Sequence, residues 1–205
     1  LLSKKKHPLL LTRGVPGTHD IQLMVNLFKK VKKNTFRSIK IPKFDKSVDD
    51  RCKKNGWFKL KKKPDILILE GWCVGARAEG SRSLNRPINV LEKNADKKKI
   101  WRSYVNNQLK SKYSKLFDQL DSLLYLKAKN FKLLKRWRLK QEKKLKMKSG
   151  TKKNSKIMNE KEVETFMMTY QRITQNMFKN APKYSSAVID LNENHQIKKV
   201  KFKHA

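Results

Sequence analysis

Asp65-Ile66-Leu67-Ile68-Leu69-Glu70 is the stretch on which the fold reading turns. Four consecutive apolar residues between two acids form the pattern of a strand buried on both faces of a parallel sheet. Gly71-Trp72-Cys73-Val74-Gly75 then turns the chain out of it. Ser122 to Leu126 and Ser186 to Leu191 read as two further buried strands, and Gln196 to Phe202 as a lysine-rich edge strand. Arg37 to Ile41 alternates as a strand and is stopped by Pro42.

Helical periods separate these runs. Ile21, Met24, Val25, Leu27, Phe28 and Val31 recur at helical spacing, with Thr18 or Asp20 as N-cap and lysines crowding the last turn. Pro87 to Asp121 reads as helical overall, Phe131 to Met147 as a basic helix, and Asn159 caps a helix running to about Lys179. Strands alternating with helices predict an α/β fold, a parallel sheet with helices on both faces. Ligands of such sheets sit beyond the carboxyl ends of the strands, which points to Glu70, the 71–86 loop and the residues after Leu126.

The chain has 205 residues, enough for one such domain. Lys plus Arg number 52 against 17 acids, a net charge of +35. That balance attracts polyanions, nucleic acid among them. Only ten of the cations are arginine, and the lysines are scattered along the whole chain, the pattern of a solvated basic surface rather than of one recognition stripe. Two cysteines cannot build a disulfide framework, and they have no CxxC partners for zinc. No apolar run reaches the ~18 residues of a membrane span, and no secretory signal is visible. The expectation is a cytoplasmic protein with no membrane partner. The first residue is Leu1 rather than Met, so the natural start is expected to lie upstream.

Few residues stand out for chemistry. Glu70, at the tip of a strand and followed by Gly71, is placed to hold a metal-bound water or to take a proton; a strand-end acid in solvent is the alternative. Arg136 and Arg138 flank Trp137 and could fold over a triphosphate, or Arg138 could pair with Glu142 one turn on. Arg13, His19 and Asp20 surround a Gly-Pro-Gly turn and could bind an anionic substrate, or serve only the turn and the helix cap. Lys46, Asp49 and Arg51 could bind a carboxylate or simply hydrate the long 42–63 loop. Cys52 and Cys73 read as inert, and His7, His195 and His204 as surface residues without metal-ligand spacing.

Four strings, taken in order, carry a resemblance: Arg13-Gly14-Val15-Pro16-Gly17-Thr18-His19-Asp20; Ile41-Pro42-Lys43-Phe44-Asp45-Lys46-Ser47 with Asp50-Arg51; Ile68-Leu69-Glu70-Gly71-Trp72 with Gly75; and Arg136-Trp137-Arg138-Leu139 with Gln141-Glu142. The chain resembles the D-glycerate 3-kinase family and its relatives among the P-loop small-molecule kinases, grouped with uridine kinase and phosphoribulokinase. The resemblance implies ATP-dependent phosphorylation of a small hydroxylated substrate, glycerate the named candidate, with ATP and magnesium as cofactors. It implies a catalytic and magnesium-linked role for Glu70. Nucleotide contacts fall to Gly71, Arg136 and Arg138. The acceptor face comprises Arg13, His19, Asp20, Asp45, Lys46 and Arg51. Residues 1–205 are then one kinase-like domain, with 42–63 as substrate loop and 131–155 as a lid-like helix and loop.

One departure is large. The family's first strand and G-x-x-x-x-G-K-[ST] loop, whose amides cradle the phosphates, are absent from the 205 residues. The expectation is the C-terminal part of a kinase whose sheet lacks its first strand, leaving Ile66 to Leu69 uncovered. The alternatives are an inactive kinase-like remnant and a basic nucleic-acid-binding protein.

Overall fold

The computed structural model describes residues 5–11, 13–45, 50–149 and 157–203. The chain divides into two compact units, one of residues 20–74 and one of residues 1–19 with 75–205.

In the first unit, the Asp20 carboxylate opens helix α1, Ile21–Lys33, accepting the Leu23 amide at 3.2 Å. That bond satisfies one of the donors a helix start leaves unpaired. Ile21, Val25, Phe28 and Val31 form its buried stripe. Burial of each such side chain stabilises by roughly 1.5–3 kcal/mol. The helix stops at Asn34, which adopts the left-handed conformation at φ 51°. Strands β1, Ile39–Ile41, β2, Phe44–Asp45, β3, Asp50–Arg51, and β4, Phe58–Leu60, form two short antiparallel ladders. Ile39 faces Leu60 in one and Phe44 faces Arg51 in the other. The stretch read as a loop over 42–63 thus carries local pairing within it.

Asp65–Glu70 is not a strand. It has no regular structure, and Ile66 and Ile68 are 77% and 83% exposed. Apolar composition makes a strand attractive to bury, but a strand exists only where a neighbour takes its backbone hydrogen bonds. Among the described residues none pairs with this segment.

In the second unit, α2, Val90–Ala95, is capped by Asn89, and α3 covers Ile100–Gln108. The chain continues through a π-helical turn, Leu109–Tyr113, into α4, Ser114–Phe117. The single helical span expected from Pro87 to Asp121 is therefore broken into shorter pieces. Strand β5 is Leu124–Lys127, and α5 is Phe131–Ser149. Helix α6, Glu160–Tyr184, begins with a reciprocal cap in which Asn159 and Glu162 satisfy each other's amides. Strands β6, Ala187–Leu191, and β7, Ile197–Phe202, complete a sheet of order β5-β6-β7. Trp101, Val105, Leu109, Leu116, Val163, Met177 and Ala181 are buried in this unit.

The sheet is mixed. β5 and β6 run parallel, joined through α5 and α6, whereas β7 returns antiparallel through the tight Asn192–Gln196 turn. A turn of that length cannot make the crossover that a parallel neighbour requires. Leu124 and Leu126 of β5 share a face with Val200 and Phe202, and all four side chains are exposed.

Buried charge ties the helices of this unit together. Arg172 of α6 donates to both Glu92 oxygens, at 2.8 and 2.6 Å, and to Glu79 at 3.1 Å. Burial by itself would lower its pKa, yet the hydrogen bonds and charges of Glu92 and Glu79 raise it above the ordinary arginine value. Arg102 likewise donates to Asp96 at 2.9 Å in a buried pair.

Candidate active site

The Arg13–His19 loop is gripped from several sides. The Thr18 hydroxyl donates to the Val15 carbonyl at 2.7 Å and accepts the Gly14 amide at 2.9 Å. Gly17 has φ 97°, and a Cβ there would lie 2.5 Å from the Tyr104 ring. Only glycine combines that backbone with that approach. The Gly17 amide donates to the Tyr113 hydroxyl at 3.2 Å, and His19 Nδ1 lies 2.7 Å from the same oxygen. His19 is half-buried; burial first, and then the positive charge of Arg13, holds its pKa below the ordinary value. The imidazole is therefore neutral near pH 7.

Asp20 and Arg51 meet across 31 residues. Arg51 Nη1 donates to Asp20 Oδ2 at 3.0 Å while Asp20 Oδ1 keeps its capping bond. Both side chains are more than 40% exposed. Asp45 stands opposite Asp50 in the β2–β3 ladder, and the Arg51 amide donates to the Asp50 carboxylate at 2.7 Å. Three of the residues expected to bind the acceptor thus converge on one corner of the first unit. Lys46 and Asp49 lie outside the described residues.

Glu70 and Gly71 are exposed. Gly71 opens a turn in which its carbonyl accepts the Val74 amide at 3.2 Å. The Glu70 carboxylate makes no hydrogen bond or ion pair among the described residues. Magnesium is commonly held by one or two carboxylates together with waters and substrate phosphates, so a lone accessible carboxylate fits that style of site. No group of three or more His, Cys, Asp or Glu side chains among the described residues makes a complete cage.

The arginines of α5 are both engaged. Arg136 donates to exposed Glu193 at 2.8 Å, beside Trp137, whose indole donates to the Glu193 carbonyl at 2.8 Å and stacks on His195 at 4.1 Å. Arg138 pairs with Glu142 one turn on, donates to Gln141 at 2.9 Å, and lies over the Phe166 ring at 5.2 Å. Glu142 is buried and also accepts the Met158 amide at 3.0 Å, so this pair secures the entry to α6. The i,i+4 partnership read from the sequence is present; Glu70 and the two arginines belong to different units.

The remaining histidines and cysteines have local work. His7 caps the turn Pro8–Leu10 and also contacts the Ala95 carbonyl at 3.0 Å, so it is half-buried rather than a surface residue. His204 and residues 150–156 lie outside the described residues. Burial pushes the Cys73 thiol up to about 12, which leaves it a thiol at neutral pH. The cavity lined by Arg77, Glu79, Trp101, Arg102 and Arg172 is ≈ 10 Å³, room for one water and no ligand. Tyr113 is the functional candidate that sequence reading missed. Its spacing marks an apolar helix face, and nothing in that spacing announces a partner 94 residues away.

No family model matches the chain. It is 32% identical over 170 residues to the uncharacterized kinase mug58 of Schizosaccharomyces pombe, a match covering 80% of this chain and 58% of that protein. It is 25% identical over 151 residues to the chloroplastic D-glycerate 3-kinase of Arabidopsis thaliana, covering 68% of this chain and 30% of that one. Among solved structures, D-glycerate 3-kinase from Cryptococcus neoformans superposes with a TM-score of 0.77 at 23% identity, over 98% of this chain and 72% of that one. The fold is therefore α/β, of the P-loop kinase type. The resemblance to the D-glycerate 3-kinase family holds: the chain is a homologue of these kinases and spans about three-fifths or less of the curated relatives named here. Among the described residues no helix is long and apolar enough to cross a membrane.

Proposed function

We propose that this chain carries the acceptor-binding and lid parts of an ATP-dependent kinase that phosphorylates the hydroxyl of a small, glycerate-like acid. The observation that carries the reading is the Asp20–Arg51 pair, formed between two of the strings on which the kinase resemblance rests. A guanidinium presents a planar fork matched to a carboxylate, and an exposed ion pair is worth only ~0–1 kcal/mol. A substrate carboxylate can therefore take Arg51 from Asp20 at little cost. Asp20 is then left to orient a substrate hydroxyl, and Arg13 and His19 are separate anion-binding candidates in the loop of the other unit.

Glu70 takes the role of base toward the acceptor hydroxyl or of ligand to a magnesium-bound water. Magnesium, when bound, would neutralise charge on the transferred phosphoryl group. Among the described residues Arg136 is held by an exposed acid, which it can exchange for an ATP phosphate. Arg138 is held by a buried acid and serves first to keep α5 against α6. The amide cradle for the phosphates has no counterpart motif within the 205 residues. A phosphate-binding role in the complete reaction therefore has to be tested with that loop supplied.

The test joins the chain in frame behind the G-x-x-x-x-G-K-[ST] segment of its D-glycerate 3-kinase relative and follows transfer from labelled ATP to D-glycerate. Turnover is expected, reduced at least ~100-fold by Glu70→Gln, the scale of a lost general base. Full activity in that variant removes Glu70 from the reaction. D-glycerate binding without turnover would instead favour the inactive kinase-like reading.

A further inference from the structure

We propose that the first unit carries a nucleotide-binding cleft, separate from the acceptor corner, in which Phe36 and Trp57 receive a base and Lys30, Lys40 and Lys54 receive its phosphate.

These three lysines and two aromatic residues line a cleft of ≈ 460 Å³. All of them lie in the unit of residues 20–74. Lys30 comes from the last turn of α1, and Phe36 from the connection that follows it. Lys40 comes from β1, and Lys54 and Trp57 from the turn that leads into β4. Small-molecule sites run from about 300 to 1,000 Å³, so the space suits a mononucleotide better than a lone phosphate ion.

The charge in the cleft has one sign. No acid lines it. Among the described residues the Lys30 and Lys54 ammonium groups have no hydrogen-bond or ion-pair partner, and Lys40 Nζ has only the Lys54 carbonyl at 3.4 Å. Asp20, Asp45 and Asp50 sit instead at the start of α1 and in the β2–β3 ladder. Lys30 stands ten positions after Asp20, about 15 Å along the helix. A glycerate-sized ligand at one does not reach the other. Cations gathered without an acid repel one another, and an anion placed among them relieves that repulsion.

The aromatic residues narrow the class of anion. Phe36 and Trp57 are half-buried. The Trp57 indole N–H is already given to the Cys52 carbonyl at 2.7 Å, which fixes the ring and leaves its π surface as what it can offer a ligand. Bases stack on aromatic rings whatever their identity, whereas lysines alone accept any anion. The two features in one cleft select a molecule that has both a planar base and a phosphate. The Thr35 and Ser38 hydroxyls, also on the lining and uncommitted among the described residues, suit the ribose between them. Such a unit can arrive as a free nucleotide or as one residue of a single strand.

The experiment titrates the full chain with AMP and follows the indole resonances of its four tryptophans by NMR, Trp57→Phe identifying the Trp57 signal. AMP is expected to move that signal saturably. It is also expected to bind at least about tenfold more tightly than ribose 5-phosphate or adenosine, each of which lacks one half of the ligand. The double variant Lys30→Gln, Lys54→Gln changes two exposed positions and is expected to weaken AMP binding about tenfold. A short oligoadenylate distinguishes the sources: tighter binding than AMP at the Trp57 signal assigns the cleft to a single strand, and equal or weaker binding assigns it to the free nucleotide. A Trp57 signal unmoved by AMP overturns the proposal, even if AMP binds elsewhere on the chain. Ribose 5-phosphate or adenosine matching AMP overturns it as well, and so does full AMP affinity in the double variant.

Discussion

Arg172 and Arg51 both face carboxylates, but in opposite settings. Arg172 and Glu92 are sealed from water, 8% and 0% exposed at their side chains, and their hydrogen bonds hold α2 and α6 together. Arg51 and Asp20 stand more than 40% exposed and join β3 to the start of α1. Charges taken out of water must keep their partners, because an unpaired buried charge is severely penalised. Charges left in water lose little on exchange, which makes them fit to receive a ligand. Burial, rather than the presence of an ion pair, separates the structural arginine from the candidate binding arginine.

The comparison is most directly broken at its buried end. Glu92→Ala strands Arg172 and is expected to cost ~3–5 kcal/mol in urea unfolding. A loss below 1 kcal/mol would mean the network is as dispensable as the surface pair. Between the extremes lies the loop that carries His19. Gly17→Ala places a methyl against Tyr104 at a φ that only glycine adopts easily, and should destabilise by ~1–3 kcal/mol in the same assay. A neutral result would show that the loop shifts freely and has no set orientation to deliver. The exposed end gives the smallest stability effect. Asp20→Asn retains a capping oxygen and should change stability by no more than ~1 kcal/mol, while changing the affinity for D-glycerate measured by calorimetry. Asparagine that lowers stability by several kcal/mol, with binding intact, would move Asp20 to the structural class.

Much of the local architecture is legible in the residues themselves. The stripe from Ile21 to Val31, the Asn159 cap and the Arg138–Glu142 pair all follow from spacing within one or two turns, where geometry is set by helical periodicity. The strands near Leu124, Ala187 and Ile197 also lie where the pattern places them, because the composition of each run and its flanking turns point the same way. Asp65–Glu70 shows the limit. Its pattern is more strand-like than that of β7, yet among the described residues β7 is paired and Asp65–Glu70 is not. Pairing is a property of two segments, and a single run of apolar residues carries information about only one.

The candidate site divides along the same line. Residue types and motifs single out Arg13, His19, Asp20, Arg51, Glu70, Arg136 and Arg138 as groups able to do chemistry. They do not reveal which acid each arginine faces, nor that Tyr113 stands at His19. By itself the amino-acid order determined the helices, the cap residues, the strong positive charge and the kinase resemblance, since these depend on near neighbours or on composition. Only the tertiary structure decided that Asp20 meets Arg51, that Glu92 is buried against Arg172, and that Asp65–Glu70 finds no strand partner among the described residues. Those outcomes depend on which distant segments share a surface and on how much water is left between them, and no local pattern encodes either.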